Sequence, residues 1–219
     1  MIRPWVYFQE YNLCLAFMPK VANTSMKMAF AKLQAMEQFK DSKEGIHSHY
    51  KGVSPQEIAH LDCPKFMFVR NPFDRLVSAW QSKLIDKVSH PSFNRFGMYK
   101  NMSFNEFAQK VCDTPDNLSD HHWRSQTYEM YAGNKPLNIT IGRFEALDHD
   151  WEEFRMHITG LPALGKWGAS KKDDYKLYYD DKLIELVSKR YKKDLDLLDY
   201  NFNGLLDRDW ETSSINLSS

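Results

Sequence analysis

Only three cysteines occur in the 219 residues, Cys14, Cys63 and Cys112, widely spaced and without a CxxC pair or a Cys/His cluster. That excludes a disulfide scaffold and offers no ligand set for structural zinc, so reduced thiols and no metal are expected. Net charge is missing too: 29 basic residues offset 29 acidic ones, which leaves no global field to draw in a polyanion. Nucleic acid is therefore not an expected partner, and any anion site must be a local cluster. No run approaches the ~20 apolar residues that cross a bilayer. Met1 to Glu10 has no basic-then-apolar leader pattern, and the chain reads as soluble. With 9 glycines, 9 prolines, no linker and no repeat, it reads as a single domain over 1–219. The last fifteen or so residues, roughly, are expected to form a flexible tail.

What is present is a strand–loop–helix plan used three times. Leu13-Cys-Leu-Ala-Phe-Met18 is a short apolar run stopped by Pro19, followed by Met26, Ala29, Phe30, Leu33 and Met36 at helical spacing. Lys65-Phe-Met-Phe-Val69, ended by Asn71-Pro72, leads into Phe73, Leu76, Val77, Trp80 and Leu84. A third strand is expected over Leu137 to Ile141, with a helix from about Asp148 to His157. Strands alternating with helices predict an α/β protein with a central parallel sheet flanked by helices. Ser54-x-x-Glu57 and Ser103-x-x-Glu106 are capping boxes that open helices, and an apolar stripe from Asp180 to about Leu198 predicts one C-terminal helix.

In parallel sheets, ligands sit beyond the carboxyl ends of the strands. The first loop there is Pro19-Lys20-Val21-Ala22-Asn23-Thr24-Ser25, where a helix N-terminus, two hydroxyls and the Lys20 charge suit a phosphate. It is not a Walker A motif, because the lysine precedes the turn and the glycines are missing. The second is Val69-Arg70-Asn71-Pro72, with Arg70 at the strand's end and Ser78 about two turns into the next helix. A guanidinium fork and a hydroxyl together suit a second anionic group. Arg75 is expected to pair with Asp74 or a neighbouring carboxylate.

P-K-V-A-N-T-S followed by R-N-P-F-D-R-L-V-S resembles the paired cofactor signature of sulfotransferases, especially the carbohydrate sulfotransferases related to the heparan sulfate 2-O, chondroitin 4-O and HNK-1 enzymes. The resemblance implies the P-loop-like sulfotransferase fold and the cofactor 3′-phosphoadenosine 5′-phosphosulfate. It places the 5′-phosphosulfate on Lys20, Ala22, Asn23, Thr24 and Ser25, and the 3′-phosphate on Arg70 and Ser78. It also implies a sulfuryl transfer to a hydroxyl, of a glycan or another small acceptor, with Lys20 at the leaving phosphate. His47-Ser48-His49 resembles an H-x-H segment at the same interval in the 2-O enzymes, which makes His49 the base and gives His47 a supporting part. Glu37, Glu44 or Glu57 are alternative bases. His122, Trp123 and Arg124 resemble an H-W-R-P-Q element and are candidate acceptor contacts, with Ser125 standing where the family often has proline. Ser170, Lys171 and Lys172 match a late loop that closes over the nucleotide. Met130 stands near a luminal disulfide cysteine of the family, which implies a cytoplasmic, bacterial or viral protein rather than a Golgi-lumenal fragment. The competing readings are a P-loop-like nucleotide kinase using ATP and magnesium, and a non-enzymatic nucleotide-binding module. The motifs specify the donor; they do not choose the acceptor or the oligomeric state.

Overall fold

The computed structural model describes residues 3–86, 91–165 and 174–206. The expected tail and the Ser170, Lys171 and Lys172 loop lie outside them. In chain order the sheet strands are β1 (Trp5–Phe8), β2 (Leu13–Ala16), β3 (Lys65–Val69) and β4 (Thr140–Arg143). The main helices are α1 (Asn23–Leu33), α2 (Ile46–His49), α3 (Pro55–Ile58), α4 (Pro72–Trp80), α5 (Phe104–Cys112), α6 (Leu147–Arg155), α7 (Asp181–Arg190) and α8 (Lys192–Leu197). These elements form two compact units, one from residues 3–70 with 129–165 and one from 71–128 with 174–206.

The first unit holds the sheet, in the order β1-β2-β3-β4. β2 and β3 run parallel with Cys14 beside Lys65, and β3 and β4 run parallel with Phe66 beside Thr140. All four residues of β2 and the last four of β3 are buried, as expected of strands covered on both faces. The α/β reading with a parallel core is thus what the chain adopts. An antiparallel edge strand is added: β1 pairs with β2 through a tight turn in which Asn12 takes a left-handed conformation (φ 44°). The third parallel strand begins three residues later than its apolar pattern suggests. Leu137 and Ile139 are buried, but only Thr140–Arg143 registers with β3. Gly142 permits that approach, because a Cβ there would lie 2.5 Å from the buried Phe68 ring. Phe8 stacks on Phe30 of α1 at 4.0 Å between ring centroids, and Phe154 of α6 meets Phe66 and Phe68, so aromatic rings fill this core.

The second unit is helical. Asn71 caps α4 by accepting the Phe73 N–H, Pro72 occupies its first turn, and the helix runs on into a π turn over Gln81–Ile85. Both capping boxes form as read, at Ser54 in the first unit and Ser103 in this one. The C-terminal stripe is two helices, not one: Tyr191 sits between α7 and α8 with φ −105° and ψ 20°, and its buried hydroxyl donates to the Trp123 carbonyl. That tertiary hydrogen bond, invisible to periodicity, accompanies the break.

Candidate anion site at the carboxyl ends of the parallel strands

β2 delivers the chain into the Pro19–Ser25 loop, and α1 starts at Asn23. The helix has Ala22 at its N-cap, a residue with no side chain to cap, and no acidic residue in its first turn. Its positive end therefore favours an anion at the loop, and its first-turn amides have no acceptor inside the helix. Lys20 and Ala22 both adopt left-handed φ values, 68° and 49°, although neither is glycine. Each such residue costs about 1–2 kcal/mol. Alternation of this kind turns successive amides to one side, the geometry of an anion nest. The missing glycines that argue against a Walker A motif thus coincide with a loop that bends as though it had them.

Asn23 does not face an anion with its amide. Its Nδ2 donates to the Phe17 carbonyl at 3.2 Å, tying the loop to the end of β2, while Oδ1 is buried without a partner. Ser25 is buried and Thr24 is half-buried at the helix start. β3 places Arg70, itself buried, against this loop: Nη1 donates to the Lys20 carbonyl at 2.9 Å, and the guanidinium lies 4.4 Å from the Phe144 ring centre, just after β4. The loops after three parallel strands therefore converge on Arg70, whose guanidinium reaches the Lys20 backbone. This donor set, an ammonium, a guanidinium and a helix start with no acid beside it, fits a phosphosulfate.

Of the two histidines, it is His47 whose imidazole meets the loop, with Nε2 3.2 Å from Thr24 Oγ1. The His49 ring packs edge-on against Phe39 and Tyr50, at 5.3 and 5.0 Å between centroids. The reason is the single turn of α2. At about 100° per residue, positions two apart face nearly opposite ways, so one residue of an H-x-H pair can face the loop and not both.

Ser78 lies half-buried on α4 of the second unit. The acceptor candidates of that unit need correction. Trp123 is fully buried among Phe93, Phe96 and Phe107, and belongs to the core. Arg124 is also buried: Nε and Nη2 donate to the carbonyls of Asp116 and Ser119, which holds a loop in shape and presents no charge outward. Arg75 is buried and donates to the carbonyls of Arg124 and His121. Ser125, in place of proline, uses the N–H that proline lacks, donating to Asp116 Oδ1 at 2.9 Å, and its hydroxyl accepts from Arg190.

His122 keeps a partly exposed ring, with Nδ1 2.6 Å from Asp120 Oδ1, and His121 Nδ1 lies 3.3 Å from the same oxygen. Burial, then the neighbouring His122 charge, pushes His121 down to about 3, so it is neutral at ordinary pH. Sequence spacing offered no metal ligands, yet these three residues bring one ligand atom each within 4.8 Å of one another. A cation there would have to displace the hydrogen bonds that Asp120 already makes to the His122 backbone and ring.

Comparison with known proteins identifies the family. The sulfotransferase family matches residues 3–201, and the chain belongs to that family. Similar curated proteins include carbohydrate sulfotransferase 11 of Rattus norvegicus and of Mus musculus, each 24% identical over 193 residues, covering 73% of this chain and 53% of the relative. The Danio rerio protein of the same name is 24% identical over 176 residues, 65% of this chain and 49% of its own. The chain thus spans about half the length of these relatives. No solved structure matches it. The relatives overturn one expectation: they are animal carbohydrate sulfotransferases, and the cytoplasmic, bacterial or viral setting does not stand. Met130, read as a sign of an intracellular protein, is a buried core residue and carries no such information.

Proposed function

We propose that the chain catalyses transfer of a sulfuryl group from 3′-phosphoadenosine 5′-phosphosulfate to a hydroxyl of a carbohydrate. The observation that carries this reading is the convergence of the Lys20 loop and Arg70 beyond adjacent parallel strands, joined by the Arg70-to-Lys20 hydrogen bond. The family and the names of the relatives support the reaction class and a carbohydrate acceptor. When bound, the cofactor supplies the activated sulfuryl group.

The residues supply alignment and charge. The first turn of α1, from Asn23 through Ser25, would meet the anion with the positive end of the helix. Lys20 would hold the departing phosphate and offset the charge that develops on it. Arg70 holds the Lys20 backbone and adds its own positive charge. His47 Nε2 exchanges its Thr24 partner for the acceptor hydroxyl and takes that proton. This reading gives His47 the part that resemblance gave to His49.

The nucleotide reading is tested by thermal unfolding. The product analogue 3′-phosphoadenosine 5′-phosphate is expected to raise Tm, and ATP with magnesium far less. Arg70→Ala should weaken that nucleotide about 10- to 100-fold, the loss of a charge-assisted hydrogen bond. The reverse ranking of ligands would favour the kinase.

The base is tested separately. His47→Ala should lower turnover about 10²-fold or more with nucleotide affinity retained, whereas His49→Ala should keep most activity. If the two variants exchange phenotypes, the base is His49.

A further inference from the structure

Cys14 and Cys63 lie far apart in sequence but side by side in the first unit, with their sulfurs 3.6 Å from each other. Cys14 is buried in the middle of β2, and its N–H donates to the Pro64 carbonyl, so backbone pairing holds the two residues in register. Cys63 is partly exposed at the entry to β3. We propose that these two thiols are a disulfide-forming pair, oxidised in an oxidising compartment to staple the start of β3 to β2. The segment between them carries the Lys20 loop, α1 and His47, so the crosslink would close the stretch that supplies these parts of the anion site.

The chemistry needs an oxidant with a disulfide of its own, such as glutathione disulfide or a dithiol oxidoreductase. The exposed Cys63 thiolate attacks one sulfur of that disulfide, forms a mixed disulfide and expels a thiolate. Cys14, losing its proton, then attacks the Cys63 sulfur and expels the second thiolate. Two cysteine thiols have given up two electrons and two protons, and the oxidant leaves as two thiols. Burial, reinforced by the neighbouring Cys63, pushes the Cys14 thiol up to about 12, so the closing step is slow near neutrality. Its rate should rise about tenfold per pH unit as the thiolate fraction grows. Cys112 has no sulfur partner among the described residues and should remain a thiol.

The experiment treats the reduced full chain with glutathione disulfide at pH 8, then counts thiols after denaturation and maps peptides without reduction. The expected result is one thiol per chain, against three at the start. A peptide bearing Cys14 should be joined to one bearing Cys63 and be lighter by two hydrogens than the separate pair. Tm should rise by about 5–10 °C on oxidation. Cys112→Ala should leave no thiol and the same crosslink. Three thiols surviving exhaustive oxidation, a glutathione adduct on Cys63 that never closes, or a crosslink through Cys112 would each overturn the proposal.

Discussion

Lys20→Ala is expected to reduce turnover about 10²- to 10³-fold, the effect of removing one well-placed group that stabilises developing charge. The Tm should move little, because the residue is half-exposed and the carbonyl that accepts from Arg70 belongs to the backbone. A second substitution separates charge from conformation. Lys20 holds φ 68°, which glycine adopts without the cost of about 1–2 kcal/mol that a side chain incurs. Glycine gains flexibility in the unfolded chain worth about 0.5–1 kcal/mol against folding. The two effects nearly cancel, so Lys20→Gly should match or slightly exceed the parent in stability while losing activity like alanine. Steady-state kinetics on a glycan acceptor with calorimetry on the same samples would check this. An active Lys20→Gly enzyme would show that the loop needs its bend and not its ammonium, and the mechanism would have to be redrawn.

That prediction shows what the sequence could and could not convey. The apolar runs of β2 and β3, the capping boxes at Ser54 and Ser103 and the lysine-bearing loop are local signals, complete within a few residues, and they appear where expected. Features set by distant partners were not legible. Nothing in Arg70-Asn-Pro says that the guanidinium will reach the Lys20 carbonyl, nor does H-x-H say which imidazole a one-turn helix will aim at Thr24. Trp123 and Arg124 misled because a tryptophan–arginine pair looks the same in sequence whether it faces a ligand or a core. Only the rings of Phe93, Phe96 and Phe107 and the carbonyls of Asp116 and Ser119 decide between them. The left-handed Lys20 and Ala22 were hidden for the opposite reason, since sequence patterns assign such conformations to glycine.

The largest effect on stability is expected at Asp194, a residue that the amphipathic reading of the C-terminal helix had no reason to single out. It is completely buried in the second unit and accepts from the backbone N–H groups of Gln126 and Thr127, each at 2.8 Å, and from Thr127 Oγ1 at 2.7 Å. Burial raises its pKa, and these hydrogen bonds oppose the rise without cancelling it. Asp194→Ala would strand two amides and a hydroxyl in the core, and each buried donor without an acceptor costs about 1–3 kcal/mol. A loss of at least about 3 kcal/mol follows, or about 6–12 °C in Tm for a chain of this size. Asp194→Asn fills nearly the same volume and keeps one acceptor oxygen, but sets an NH₂ group against a donor, so it should fall between parent and alanine. Denaturant titration of the three proteins would give that order. An alanine variant as stable as the parent would mean that α8 does not depend on this carboxylate to dock on the Gln126–Thr127 backbone.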